Sequence, residues 1–392
     1  MKYYQLVIAG AGIGGLSASL FLARAGHRVT LIEQASELTE AGAGIQIGPN
    51  AMKVLSALEL ADLVLQTACQ PQAIAVRDAA TGRNISRMLL GAAAQQRYGQ
   101  TYCTLHRADL QAALLQAVRS EPLVDLQLGT ALASFAQQEQ GVQINLLSGS
   151  RLQADALLGA DGLWSRVRAQ LLNDGAPRAT GHAAFRALLP AAAVPHALRA
   201  NEVGVWWGRD VHVLSYPVRS GAFWNVAILA ETQDAQTQGW SLDATAAQVR
   251  LALGKSCQQL SDLIDAASGW KRWNLFDRPS SKLWGQGAVS LLGDAAHPML
   301  PYLAQGAAMA LEDAAVLAKC VQTASSMPQA LRAYEKLRMP RAERVVNTAR
   351  RNGRIFHLRG PLAVARDAVL ALKGTEVVGL PWLYGYDASS SE

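Results

Sequence analysis

The sequence predicts an α/β protein: a parallel-sheet domain interrupted by a mixed β-sheet insertion and followed by C-terminal helices. Three observations carry that prediction. An apolar run ending at Ala9 enters Gly10-Ala11-Gly12-Ile13-Gly14-Gly15 and a helix with Leu16, Leu20 and Ala23 on one stripe. Residues 183–230, rich in β-branched and aromatic side chains, alternate with the period of two of an antiparallel sheet. Glycine–acid pairs recur where later apolar runs end, at Asp161-Gly162 and Gly293-Asp294, each ahead of a helix.

The first unit is a Rossmann-like βαβ. Gly10 permits a tight turn, Gly12 lets a pyrophosphate approach the backbone, and Gly15 lets helix and strand pack closely. The helix start supplies aligned N–H groups for phosphates. A second run, Arg28 to Ile32, ends at Glu33, an acid suited to both ribose hydroxyls and repelling a 2′-phosphate. The expected nucleotide is therefore FAD or NAD. Lys2, the apolar run and Ala23-Arg24-Ala25 imitate a secretory signal, but four glycines within six residues would break its apolar helix.

Further along, a glycine-rich connection (Ala41 to Asn50) precedes a helix from about Ala51, and residues 71–100 alternate loosely like strands. His106-Arg107-Ala108-Asp109 opens an amphipathic helix reaching Val118, followed by strand-like runs at 123–128, 131–136 and 142–147. Residues 243–268 look helical, Ala288 to Leu292 is a buried strand, and a long helix starts near Gly306. From about Met327 to Leu372 the chain is basic helix, broken by Pro340 and Pro361; the polar tail from Asp387 is expected to be disordered.

The 392 residues suit two intertwined domains. No apolar run reaches the roughly 20 residues of a membrane span, since Glu312, Asp313 and Lys319 cut the best candidate. A formal charge of +6 suits anionic small molecules, and its scatter along the chain argues against nucleic acid. Cys69, Cys103, Cys257 and Cys320 form no C-x-x-C and no metal-like cluster, so no metal is expected and the cysteines read as reduced residues of a cytoplasmic protein.

On the strand Val211 to Val218, His212, Leu214, Tyr216 and Val218 share a face. A histidine near neutrality suits proton transfer, and a tyrosine can hold or relay a hydroxyl proton. A sheet histidine and a core tyrosine are the structural alternative.

With these motifs in order across nearly the whole chain, the sequence resembles the single-component flavoprotein aromatic hydroxylases, which share the p-hydroxybenzoate hydroxylase fold. That resemblance implies a Rossmann-like FAD-binding domain with an inserted mixed β-sheet substrate domain. It places FAD against Gly10, Gly12, Ile13, Gly14, Gly15, Glu33, Gln34, Gln46, Arg107, Leu132, Asp161, Asp294, Gly306 and Ala307. It implies hydroxylation of a small hydroxylated aromatic or N-heteroaromatic carboxylate with NAD(P)H and O2, through a flavin C4a-hydroperoxide. His212 and Tyr216 match substrate-pocket positions that handle the hydroxyl proton; Gln46, Pro301, Tyr302 and Trp206 are implied substrate contacts. His297 matches a structural position beside the flavin, and His106 and His182 are read as structural.

Gly42 to Ile45, Gly48 to Asn50, Trp206-Trp207 and Trp382 to Asp387 resemble most the 6-hydroxynicotinate 3-monooxygenase branch, then the 3-hydroxybenzoate 6-hydroxylase and salicylate hydroxylase branches. Histidines of the first branch are replaced here by Gln46 and Tyr302, which predicts altered activity on 6-hydroxynicotinate. NADH is expected over NADPH, because no arginine cluster suits a 2′-phosphate. A same-fold epoxidase, halogenase or reductase and a non-catalytic binding protein are the rivals. The implied organisation is an FAD-binding domain at 1–182 and 278–350, a substrate-binding sheet domain at 183–277, and a helical region and tail at 351–392, in a monomer or homodimer.

Overall fold

The computed structural model describes residues 3–38, 43–232, 242–373 and 380–390. Lys2, Ala41 and Gly42 of the glycine-rich connection, and Ser391 and Glu392 of the tail lie outside them.

Six strands form the first sheet, in the order Gly285–Gln286, Val289–Leu291, Ala156–Gly159, Gln5–Ala9, Arg28–Ile32, Val124–Gln127. The pairs involving Gln5–Ala9, and those at Leu157↔Val289 and Val29↔Val124, are parallel. All the strand residues from Leu6 to Ala9 are buried, as expected of a sheet covered on both faces. Helix Ile13–Arg24 packs against helix Gly306–Thr323. The ladder continues past the strand ends: Gly10 N–H donates to Ile32 O, Ala160 N–H to Ala9 O and Leu292 N–H to Gly159 O. The three glycine–acid motifs are thereby stitched along one carboxyl edge, where open α/β sheets bind ligands.

The second sheet has eight strands, in the order Leu242–Asp243, Lys271–Asp277, Arg178–Pro190, Phe223–Glu231, Val211–Val218, Val203–Trp207, Ala73–Asp78, Asn84–Leu89. One pair, Val203↔Ile74 onward, is parallel, so the sheet is mixed. It reaches beyond 183–277 to take in two strands from the region between 71 and 100, where residues Ala92–Tyr98 form a helix instead of continuing the alternation. Its two faces serve different cores. Ala183, Phe185, Trp206, Val213, Val226 and Ile228 pack with helices Ala246–Leu253 and Gln258–Asp265, the two into which the helical stretch 243–268 divides. Ala184, Ala227, Leu229 and Leu275 face the other way, toward Tyr302 and Phe356.

Two expectations are corrected. Helix Met327–Phe356 runs through Pro340 unbroken. Pro340 and Lys336, whose carbonyl loses its donor, are both exposed, so the break falls on the solvent side of the helix, while buried Arg338 anchors the helix beside it. Pro361 does stand at a break, in the first turn of helix Gly360–Lys373, where a missing N–H costs nothing. The described part of the tail is ordered: Asp387 accepts from Ser389 N, Ser389 Oγ and Ser390 N, Ala388 is buried, and Lys319 donates to the Ser390 carbonyl. None of the four cysteines is bonded to another, and among the described residues no metal-binding cluster occurs. No helix of the described residues is long and apolar enough to cross a membrane.

Candidate active site

The glycines at the sheet edge divide by what a side chain would meet. A Cβ on Gly10, whose φ is +104°, would meet the Ala160 carbonyl, and one on Gly15 would overlap the Gly10 carbonyl oxygen. Those two are fixed by the protein's own packing. At Gly12, Gly162 and Gly306 a Cβ would meet nothing within 4 Å. Their backbones border open space at the carboxyl edge, a cradle for an extended phosphate-bearing ligand. Ile13, Gly14 and Ala307 continue the two helix starts at this edge.

Glu33 holds its loop: Oε2 accepts from Ala11 N at 2.8 Å and Oε1 from Ala35 N at 2.9 Å. Exposed Gln34 follows it, and the turn before Leu132 is tied to the same loop through Thr130 N and Glu33 O. Asp161 is engaged by the chain itself, accepting from Ser165 Oγ at 2.5 Å and from Arg166 N and Val167 N. It caps helix Arg166–Leu172 and sets the glycine turn beside it. Asp294 is open to the cleft; its crowded surroundings raise its pKa, while His297 and Arg107 pull it down. Arg107, at the start of helix Arg107–Arg119, feels the reciprocal pull of Asp294.

Beneath the edge lies a network that the sequence did not announce. Arg168, fully buried, donates to Asp174 and to the carbonyls of Ala295 and Ala296, tying the second motif to the third. Asp313 accepts from Gly293 N at 2.9 Å, from Arg338 Nε at 2.7 Å, and lies 2.5 Å from His297 Nε2. Burial alone would raise the Asp313 pKa, but His297 and Arg338 bring it down to about 2. Glu312 binds Arg338, Arg341 and Asn50, whose amide also reaches Gln305. His297 is thus a strut, and His106 caps its helix by accepting from Ala108 N.

The open face of the eight-stranded sheet meets this edge at two points. Gly44 N–H donates to Asn225 Oδ1 at 2.8 Å, and a Cβ on Gly44 would collide with Asn225 and Tyr216. Gln46, on the same short strand, accepts from Tyr102 at 2.6 Å and lies within hydrogen-bonding reach of Tyr216. Burial pushes the Tyr216 phenol up to about 12, against the pull of Arg186 and Gln46. At the other point Tyr302, in the turn Pro301–Leu303 ahead of Gly306, sets its ring 5.2 Å from that of His212. His212 Nδ1 lies 3.0 Å from His357 Nε2. Burial, with His357 and His182 nearby, holds the His212 pKa well below the usual value, and His357 falls to about 4.

Trp206, expected at the substrate, lies in the core on the opposite face, with Arg77 over its ring. The alternation that points His212, Leu214 and Tyr216 one way points Trp206 the other. Its neighbour Trp207 faces the cleft side, stacked on Phe356 at 4.8 Å. Tyr102, His357 and Phe356 join the site from distant segments with no motif of their own. Arg186 had a signal, a lone charge within the apolar strand Ala183 to Leu189.

Residues 3–349 match the family described as the FAD binding domain. The chain is 35% identical to the 3-hydroxybenzoate 6-hydroxylase of Klebsiella oxytoca, over 98% of this chain and 97% of that one. It is 34% identical to the 6-hydroxynicotinate 3-monooxygenase of Bordetella bronchiseptica, over 89% of this chain and 91% of the other. Among solved structures, Klebsiella pneumoniae HpxO in complex with FAD and uric acid superposes with a TM-score of 0.85 at 27% identity, covering 95% of this chain and 94% of that one.

Proposed function

The chain belongs to the FAD binding domain family, and within it we propose a monooxygenase that hydroxylates a small hydroxylated aromatic or N-heteroaromatic carboxylate, with His212 and Tyr216 handling the substrate hydroxyl. The FAD-binding family together with homologues named hydroxylase and monooxygenase, matched over 98% and 89% of this chain, supports FAD, NAD(P)H and O2 as the participants. The observation that carries the reading is the pairing of the two sheet residues with the cofactor edge, Tyr216 through Gln46 and His212 through Tyr302.

The residues fit the cofactor: Gly12, Gly162 and Gly306 leave a cradle open, and Arg107 and Asp294 stand at its middle. When bound, FAD supplies hydride acceptance from NAD(P)H and activation of O2. Gly12 and the helix starts would hold the pyrophosphate, Glu33 the adenosine ribose, and Asp294 the ribityl hydroxyls. The N-terminus of helix Gly306–Thr323 favours negative charge beside it by about 0.3–2 kcal/mol. Segments 1–182 and 278–350 would make the cofactor unit, and 183–277 would supply the substrate face.

His212 enters as a neutral imidazole, because burial disfavours its cation. In the tautomer with Nδ1–H facing His357 Nε2, its Nε2 would accept a hydrogen bond from the ring hydroxyl, which polarises the O–H and makes the ring a better nucleophile without the imidazole becoming a cation. Tyr216, held protonated, donates a hydrogen bond to that oxygen and orients the ring. Leu214, Leu229 and Leu300 supply an apolar lining that discourages water.

The test is NAD(P)H oxidation by the purified yellow protein with a panel of hydroxybenzoates and hydroxypyridine carboxylates, product and peroxide both being quantified. One ring should give product without matching peroxide. His212→Ala or Tyr216→Phe should cut product formation by ~10²–10⁴-fold with flavin content intact. A protein that takes up no FAD, or oxidation that yields only peroxide with every ring, would sink the reading.

A further inference from the structure

The sheet face that carries His212 and Tyr216 also carries a cation to which, among the described residues, no carboxylate is paired. Arg186 stands in strand Arg178–Pro190 opposite Ala227, which in turn faces Leu214, midway between His212 and Tyr216. Among the described residues no carboxylate pairs with its guanidinium, and its Nε is buried with no hydrogen-bond acceptor. Its Cζ lies over Trp273, 4.2 Å from the ring centroid. Other arginines around this face are engaged: Arg219 by Asp109, and Arg366 by Asp367 and two carbonyls.

A second donor beside it is also unspent. Asn225, buried next to Tyr216 in the register, uses Oδ1 to hold Gly44 while its Nδ2 has no acceptor. An unsatisfied buried donor is costly, the more so when it is charged. Two such donors and a protonated phenol on one face, with small Ala227 between them, form a corner that lacks an acceptor. The Trp273 ring holds the guanidinium by a cation–π contact, and a planar, two-oxygen acceptor would match the N–H donors this contact leaves unused. Burial and the Arg107 charge lower the Arg186 pKa to about 10 against the pull of Tyr216, so the group stays cationic at neutral pH.

We propose that Arg186 binds the carboxylate of the ring substrate, with Asn225 as its neighbour donor, and sets the preference for ring acids over uncharged rings. The inference rests on the oxygenase reading for the ring and adds where its acid group is held. The ring would lie over Ala227 and Leu214, carboxylate toward Arg186 and hydroxyl toward His212 and Tyr216.

Binding to the oxidised holoenzyme, read as perturbation of the flavin absorbance without NAD(P)H, tests it. The probes are 3-hydroxybenzoate and 6-hydroxynicotinate, each against its carboxamide. The wild type should bind at least one acid about 10-fold more tightly than its amide, and Arg186→Gln should weaken that acid roughly 10–100-fold while moving the amide less than about threefold. Arg186→Lys should restore part of the preference, a charge without the planar fork. Equal weakening of acid and amide, a wild type that binds no acid or shows no acid preference, or loss of FAD from Arg186→Gln would each overturn the assignment. Failure of the oxygenase reading shows separately, as absent product with every ring.

Discussion

The core beneath helix Gly306–Thr323 and the open face of the eight-stranded sheet both bury charged side chains, and they are completed in opposite ways. In the core, Glu312, Asp313, Arg338, Arg341 and Arg168 meet opposite charges at 2.6–2.7 Å or backbone carbonyls. On the sheet face, Arg186 Nε and Asn225 Nδ2 have no acceptor, and His212 is held neutral. In the first region the charges are paired within the chain, although His297 Nδ1 and Asn50 Oδ1 find no partner. The second, on the proposal above, is completed by what binds to it. Damage to the first should therefore be visible in the apoprotein, and damage to the second only in the loaded enzyme.

The glycine fingerprint gives the largest effect, because it holds one residue of each kind. Gly15→Val drives a side chain into the Gly10 carbonyl and should leave little folded protein with or without FAD. Gly12→Val has room in the apoprotein but fills the cradle, so a folded, colourless protein is expected. Circular dichroism and flavin content of the two variants decide the matter. Full FAD occupancy in Gly12→Val would remove that residue from the proposed site.

Next in size is Arg338→Met, which strands Glu312 and Asp313 without their buried partner. Breaking a buried pair from one side costs about 3–5 kcal/mol, here with two acids at stake. Denaturant unfolding of the apoprotein should show the loss in full. A loss seen only in the holoenzyme would put Arg338 in the ligand-completed region and blur the contrast.

The sequence revealed these two regions unequally, for a physical reason. The cofactor edge is local: turn, strand period and helix start all fall within the 29 residues from Gln5 to Glu33, and the glycines bear their roles on their face. The sheet face is assembled from strands far apart in the chain. Period-two alternation identified His212 and Tyr216 as facing one way, yet could not say which way, and Trp206 fell on the wrong side. His357 meets His212 from 145 residues away, at the end of a helix that crosses Pro340 because a non-local ion network holds it. Asp313 reads in sequence only as a charge interrupting an apolar run, and Arg338 only as one cation of a basic helix. Neither spacing nor composition encodes that they face one another.

The smallest effect separates the regions by the sign of a pH dependence. Asp313 is depressed from 3.8 to about 2, so its contribution to stability is present above pH 4 and lost as pH falls toward 2. That shift corresponds to about 2 kcal/mol, and the stability gap between wild type and Asp313→Asn should narrow by that order over this window. Asp294 is shifted the other way, raised by its surroundings with no ligand in place. Ionised Asp294 therefore opposes folding of the apoprotein above its unfolded pKa, and acid relieves it; exposure to the cleft keeps the effect modest. Asp294→Asn should leave the apoprotein at pH 7 as stable as wild type or slightly more so, while weakening FAD retention. Thermal melts of both apo variants across pH 3–7 read the two signs directly. If Asp294→Asn destabilises the apoprotein as Asp313→Asn does, Asp294 belongs to the self-completed core, and the division drawn between the two regions runs in the wrong place.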